Sequence, residues 1–357
     1  MSYTDIDDPS LYFNTLIWTG ASTASGRDFT GVGFQPDLVW CKTRNASNGH
    51  KWFDSVRGVG KSLQSESTSA EVTNDGNGYI DSFDSDGFSS VAGSTNNYNF
   101  NNSSTTIVAW NWKAGGSASS NSNGSITSSV SANTTAGFSI VTYTGSGSNA
   151  TVGHGLGSVP QVVIVKDRTN NIGNTNWNVY HAGNTSEPAT DVLALNGDSA
   201  TSDSNIYWND TAPTSSVFSL GTAGQVNDSS DNYVAYCLTE KQGYSSFGSY
   251  TGNGNADGPF IYLGFRPAWC MFRNTTGDKW SIYDAKRSPS NVVDDNIRAN
   301  LSDAEVDQSG KEVDFLSNGI KIRTNSGEWN GNGHNIIFFA FAEAPFTNSS
   351  GVPCNAR

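Results

Sequence analysis

Charge is scarce in this chain: Asp, Glu, Lys and Arg together make up 15% of its 357 residues. The formal net charge is −13, and no cluster of Lys and Arg occurs. A nucleic-acid partner is therefore not expected, because phosphate-backbone binding draws its affinity from clustered basic side chains. Histidine is equally sparse. His50, His154, His181 and His334 are scattered without ligand spacing, which argues against a zinc or non-haem iron site. The four cysteines, Cys41, Cys237, Cys270 and Cys354, have no paired spacing and read as reduced, buried thiols rather than as disulfides or metal ligands. No apolar run reaches the length needed to span a bilayer as a helix, so membrane insertion is not expected. The acidic start, Met1 to Pro9, shows no basic segment leading into an apolar run. Synthesis in a cytoplasm without a signal peptide is the expectation.

Catalytic signatures are missing as well. There is no Gly-x-Ser-x-Gly elbow, and Gly153-His-Gly-Leu-Gly157 has the spacing of neither a dinucleotide loop nor a phosphate loop. No catalytic residue, cofactor site or metal site is assigned. Asp81, Asp84 and Asp86 resemble alternating calcium ligands but lack the order and the Glu of a calcium loop, so a turn is the preferred reading. Glu328, Asp314 and Asp284 are the carboxylates from which a glycosidase pair would have to be drawn, and ordinary surface acids are the plainer account of them.

What is abundant is Gly, Ser, Thr and Asn, with 10 Trp, 13 Tyr and 18 Phe among them. This mixture disfavours helix, suits short strands joined by tight turns, and carries enough aromatic area to build cores. The chain is read as all-β. Asp294 to Ala304 is the one stretch where a helix is entertained.

One text is also written three times. The first copy runs Trp18-Thr-Gly20, Gly33-Phe-Gln-Pro36 and an apolar run to Lys42, then Trp52, and closes on Ile107 to Trp112. The second runs Tyr143-Thr-Gly145, Gly157-Ser-Val-Pro160 to Lys166, then Trp177, and closes on Tyr233 to Leu238. The third runs Tyr250-Thr-Gly252, Gly264-Phe-Arg-Pro267 to Arg273, then Trp280, and closes on Ile336 to Phe341. A period of roughly 105 to 125 residues matches a small domain rather than a solenoid unit. Boundaries are expected at 1–113, 137–243 and 244–357, with the Gly/Ser/Asn-rich stretch 114–136 as a linker. The boundary Glu240 to Phe247 keeps aromatics, so the second and third repeats are expected to pack together.

Within each repeat the apolar run after the proline predicts a strand buried on both faces, including Val39, Trp40, Val163, Val165, Trp269 and Met271. Lys42, Lys166 and Arg273 each lie six residues after their proline. They read as strand-end caps or ion pairs in preference to a shared ligand-binding base. Asp86-Gly87 and Asn318-Gly319, each following a Phe, predict type I′ hairpin turns at matching places.

Several of these residues also carry a likeness. Ile6 to Phe13, Phe53-Asp-Ser-Val-Arg-Gly58, Ser139 to Gly145 with Gly153 to Gly157, Phe341 to Phe346, and the tail Val352 to Arg357 together resemble an uncharacterised family of virion-associated proteins. That family is abundant in cyanophages and other marine tailed phages, and the likeness covers essentially the whole chain. It implies three tandem β-sandwich domains of concanavalin-like or jelly-roll type and an exposed particle protein. A tail-associated fibre or adhesin contacting the host surface is the leading expectation, with capsid decoration and a tail-borne polysaccharide depolymerase as the alternatives. Expected partners are other virion proteins, further copies of the chain (most simply a trimer) and host-surface polysaccharide. The resemblance supplies no catalytic residues.

Overall fold

The computed structural model describes residues 4–22, 24–307 and 309–355. Residues 1–3 and 356–357, at the outer ends of the first and third expected segments, lie outside the described residues. The fold is all-β, with 42% strand and 6% helix, built from several antiparallel sheets. Among the described residues no helix is long and apolar enough to cross a membrane.

Each repeat places its opening, closing and proline strands side by side in one large sheet. In the first the order is Phe13–Thr19, Thr106–Trp112, Leu38–Thr43, Lys51–Asp54. In the second, Phe138–Thr144, Asn232–Leu238, Val162–Asp167 and Trp177–His181 repeat that order, and in the third Ser245–Thr251, Asn335–Pro345, Phe265–Asn274 and Ser281–Asp284 do so. A smaller sheet accompanies each: Arg27–Thr30, Gly87–Val91 and Tyr79–Asp84 in the first; Ala150–Gly153 and Val217–Leu220 in the second; Phe260–Tyr262, Gly319–Ile322 and Val313–Leu316 in the third.

The expected burial of the proline strands is observed: Val39, Trp40, Val163, Val165, Trp269 and Met271 are all buried and in strands. Period-two alternation divides them between two environments. Val39, Val163 and Cys270 face a core belonging to their own repeat, whereas Trp40, Ile164 and Met271 enter one core shared by all three repeats. In that shared core Trp40 lies 6.4 Å from Trp269, Trp52 lies 5.0 Å from Trp177, and Phe13 stacks at 5.2 Å on Phe341. The sheet face that a lone repeat would leave to water is thus covered by the other two. A void of about 30 Å³ remains at the meeting point, lined by apolar side chains from all three repeats, including Trp40, Ile164 and Met271.

Four expectations need correction. The stretch 114–136 is folded rather than a free linker: Ser119–Asn121 pairs with Ser128–Asn133, which in turn pairs with Phe138–Thr144. Val130 is buried and Ile126 packs against the second core, so the stretch does have apolar side chains to bury. Asp294 to Ala304 is not helical; Asp295–Arg298 is a strand whose Ile297 pairs with Ile282 and enters the shared core.

The two hairpins exist at matching places, but their turns are Ser85-Asp86 and Ser317-Asn318, closed by the pairs Asp84↔Gly87 and Leu316↔Gly319. None of the four turn residues has positive φ, so these are not type I′ turns. The glycines are required by the neighbouring strand, and Gly87 also by its own positive φ of 149°. A Cβ on Gly87 would come within 1.9 Å of the Phe29 carbonyl oxygen, and one on Gly319 within 2.0 Å of that of Ile261.

The fourth correction concerns alignment. Trp52 does not correspond to Trp177 and Trp280. Cys41 pairs with Lys51, and Lys166 with Trp177, so it is His50 that takes the position of the second repeat's indole.

Candidate functional site

Buried bases and ring N–H groups of this chain meet at three junctions between repeats, which share much of one plan. Within each repeat, the aromatic of the opening motif is fixed to that repeat's own one-turn helix. Trp18 Nε1 donates to the Phe100 carbonyl at 2.7 Å, Tyr143 Oη to that of Val226 at 2.7 Å, and Tyr250 Oη to that of Trp329. The next residue in each case is a buried Asn on a one-turn helix. Asn101, Asn227 and Asn330 accept from the backbone N–H of Ala21, Ser146 and Asn253, at 2.9, 2.8 and 2.8 Å. These asparagines went unnoticed in the sequence, although each lies five residues before its closing strand.

Across the junctions the strand-end bases donate in cyclic order, first repeat to third, second to first, third to second, while backbone N–H groups of Glu305, Glu71 and Thr201 donate the opposite way. Lys42 Nζ donates to the Ser302 carbonyl at 3.2 Å, Lys166 Nζ to that of Thr68 at 3.3 Å, and the Arg273 guanidinium to that of Ser199. The strand-end bases are therefore caps, and what they cap is the adjacent repeat. Burial pushes both lysines down to about 8 and Arg273 down to about 10. Two residues further on, Arg44 holds Glu305 (Nε–Oε2 2.9 Å) and Arg168 holds Glu71 (Nε–Oε2 2.9 Å). At the third junction Thr275 stands at that place, and its carbonyl accepts from Thr201 N–H at 2.8 Å.

Ring N–H groups follow the same cycle. Trp177 Nε1 donates to the Gln64 carbonyl at 2.8 Å and Trp280 Nε1 to that of Ala194 at 2.9 Å, while His50 Nε2 reaches that of Arg298 at 3.0 Å. His50 does the work of an indole here, and its Nδ1 accepts from Trp40 Nε1 at 2.8 Å. His181 has its two nitrogens engaged in the same way but reaches against the cycle, from the second repeat to the third, with Nε2 3.2 Å from the Phe338 carbonyl and Nδ1 accepting from Gly183 N–H at 3.0 Å. Both rings are thereby fixed as the neutral Nε2–H tautomer. Burial lowers His181 to about 4 and His50 well below the usual histidine range. His154 bonds the Thr214 carbonyl and Leu156 N–H, and His334 lies beside Asn274, so the four histidines stay apart.

The three carboxylates from which a hydrolytic pair would be drawn are not the ordinary surface acids expected: each is largely buried and ion-paired. Asp284 is fully buried, accepting from Arg287 and, at 3.0 Å, from Trp110 Nε1 of the first repeat. Asp314 pairs with Arg323, and Glu328 with Arg298 and Lys311. Asp86 accepts from Gly31 and Gly33 N–H and Asp84 from Ser89, which ties the hairpin to its neighbouring loop. Among the described residues no three His, Cys, Asp or Glu side chains come together in a metal-binding arrangement. The four cysteines are free; burial pushes Cys41 and Cys237 up to about 12.

On the outer surface two hollows differ in lining, the first rich in hydroxyls and the second mixing charged, polar and aromatic side chains. One of about 370 Å³ is lined by Ser120, Ser129, Thr142, Thr144 and Arg168. Another, of about 310 Å³, is lined by Glu240, Lys241, Ser245, Tyr262 and Phe346. The latter adjoins an exposed aromatic pair on one strand, Phe260 (46% exposed) and Tyr262 (65%).

A family model described as a domain of unknown function, DUF7483, matches residues 8–345, and with them all three repeats. No curated protein and no solved structure matches the chain.

Proposed function

We propose that this chain, which belongs to the family of the domain of unknown function DUF7483, is a structural and adhesive protein of a phage particle. In this reading each repeat is a small β-sandwich, and the protein serves as a tail-associated fibre or adhesin that contacts the host surface. It is made in the host cytoplasm and assembled onto the virion with other virion proteins. It binds and does not catalyse. One observation carries the reading: the buried titratable side chains at the junctions, among them His50, His181, Asp54, Asp284, Lys42 and Lys166, are engaged in fixed bonds that hold repeat to repeat.

The surface left over is rich in hydroxyl and amide groups, suited to many weak hydrogen bonds with polysaccharide. Weak contacts gain avidity when displayed together. The ring of three repeats offers such display within one chain, and assembly of copies, most simply as a trimer, would extend it.

The test is to incubate the purified protein with host-cell surface polysaccharide and measure both retention and new reducing ends. Retention without new ends is the expected result. Neither retention nor cleavage would favour capsid decoration, and steady release of reducing ends would make the protein a depolymerase.

A further inference from the structure

The ring of three repeats contains its own comparison: a position that one repeat fills differently from the other two, without need of the fold, marks a local task. The outermost strand of the small sheet is such a position. Phe29 pairs with Phe88 and Ile261 with Ile320, so Asp28 and Thr30 in the first repeat correspond to Phe260 and Tyr262 in the third. Val152 pairs with Phe218, which places Thr151 and Gly153 there in the second repeat. The exposed edge of a sheet is normally blunted by charge or cover. The first repeat carries Arg27 and Asp28 on it, and the second is covered by Ser125 and Ile126, which reach Thr151 and Val152. The third repeat instead presents two large aromatic rings.

Residues two apart on a strand share a face, so the rings of Phe260 and Tyr262 stand side by side on the outside of the sheet. Tyr262 also forms one wall of the hollow of about 310 Å³, whose other walls include Glu240, Lys241 and the half-buried Thr347. That volume lies at the lower end of small-ligand sites.

We propose that this strand and hollow form a binding site for a neutral carbohydrate. A sugar ring would stack on Tyr262, the next would lie toward Phe260, and hydroxyls would meet the carboxylate, ammonium and hydroxyl groups of the hollow. An aromatic face beside polar groups matches a ligand that is apolar on one face and polyhydroxylated at its rim. It suits a protein partner less, since one wall is charged. The net charge of −13 disfavours acidic glycans. The inference rests on the adhesive reading above and adds to it the place and the ligand class.

Native gels cast with dextran, mannan, galactan or the host's own surface polysaccharide test it, with alginate as the acidic comparison. The intact chain is expected to be retarded by a neutral glycan and not by alginate. Tyr262→Ala and Phe260→Ala should each weaken that retardation by at least about ten-fold, the loss expected for an anchoring ring, while Tyr262→Phe should keep it. Unchanged melting temperatures show that the variants fold. Retardation that survives both alanine substitutions would overturn the site and leave the adhesive reading standing. No retardation by any glycan, host polysaccharide included, would overturn both. Self-association of the intact chain that Tyr262→Ala abolishes would make this face a contact between copies and overturn the sugar site.

Discussion

The hydroxyl of Tyr236, in the second repeat, donates to Asp54 in the first at 2.7 Å. The same carboxylate holds Arg57, also fully buried, and receives the backbone N–H of Val56 and Arg57. Trp110 repeats the relationship toward Asp284 and Arg287 in the third repeat, and Phe339 completes the cycle by packing at 4.9 Å on His181. Breaking a buried ion pair from one side strands the other charge, which costs about 3–5 kcal/mol. Asp54→Ala and Asp284→Ala should each lower stability by that order in urea denaturation. Tyr236→Phe removes one hydrogen bond and should cost about 1–2 kcal/mol. Unaltered denaturation midpoints would show that the junction bonds do not bear on stability.

Acid should loosen the junctions through His50 and His181. Their folded pKa values are depressed, to about 4 for His181, so below the unfolded value near 6.5 the unfolded chain binds protons that the folded chain does not. The stability held by the neutral rings is therefore complete above about pH 6.5 and falls as the pH drops toward 4. Melting temperature between pH 7 and 4.5 should decline, and His181→Gln should flatten part of that slope while keeping a donor toward the Phe338 carbonyl. An equal slope in the variant would remove His181 from the account.

Two glycines in similar local sequence should behave oppositely. Gly319→Ala places a Cβ 2.0 Å from the Ile261 carbonyl oxygen, whereas Gly327→Ala meets nothing within 4 Å and sits on a one-turn helix. The first should destabilise by more than about 2 kcal/mol and the second should be neutral or stabilising by about 0.4–1 kcal/mol. Thermal denaturation of the two variants side by side decides it.

These features differ in how far the sequence announces them. The apolar runs after Pro36, Pro160 and Pro267 declared strands buried on both sides, and they are. The cover of their second face was hidden, because it comes from other repeats and local periodicity carries no record of so distant a partner. Matching Trp52 with Trp177 and Trp280 by residue type slipped the register by two, since what the junction needs is a ring N–H, which His50 supplies as well as an indole does. The stretch 114–136 reads as a linker because Ser and Gly outnumber the apolar residues that anchor it, among them Ile126 and Val130. Asn101, Asn227 and Asn330 were legible by spacing and were missed for want of an aromatic neighbour common to all three. Phe260 and Tyr262 became distinctive only once the paired register showed what stands opposite them in the other repeats.

The central claim is that three repeats close into one body through bonds that run from each to the next. Scanning calorimetry of the whole chain tests it most directly. A single transition, with calorimetric and van't Hoff enthalpies equal, and moved as a whole to lower temperature by Tyr236→Phe, is the result expected. Three separable transitions, of which Tyr236→Phe shifts only one or none, would contradict it.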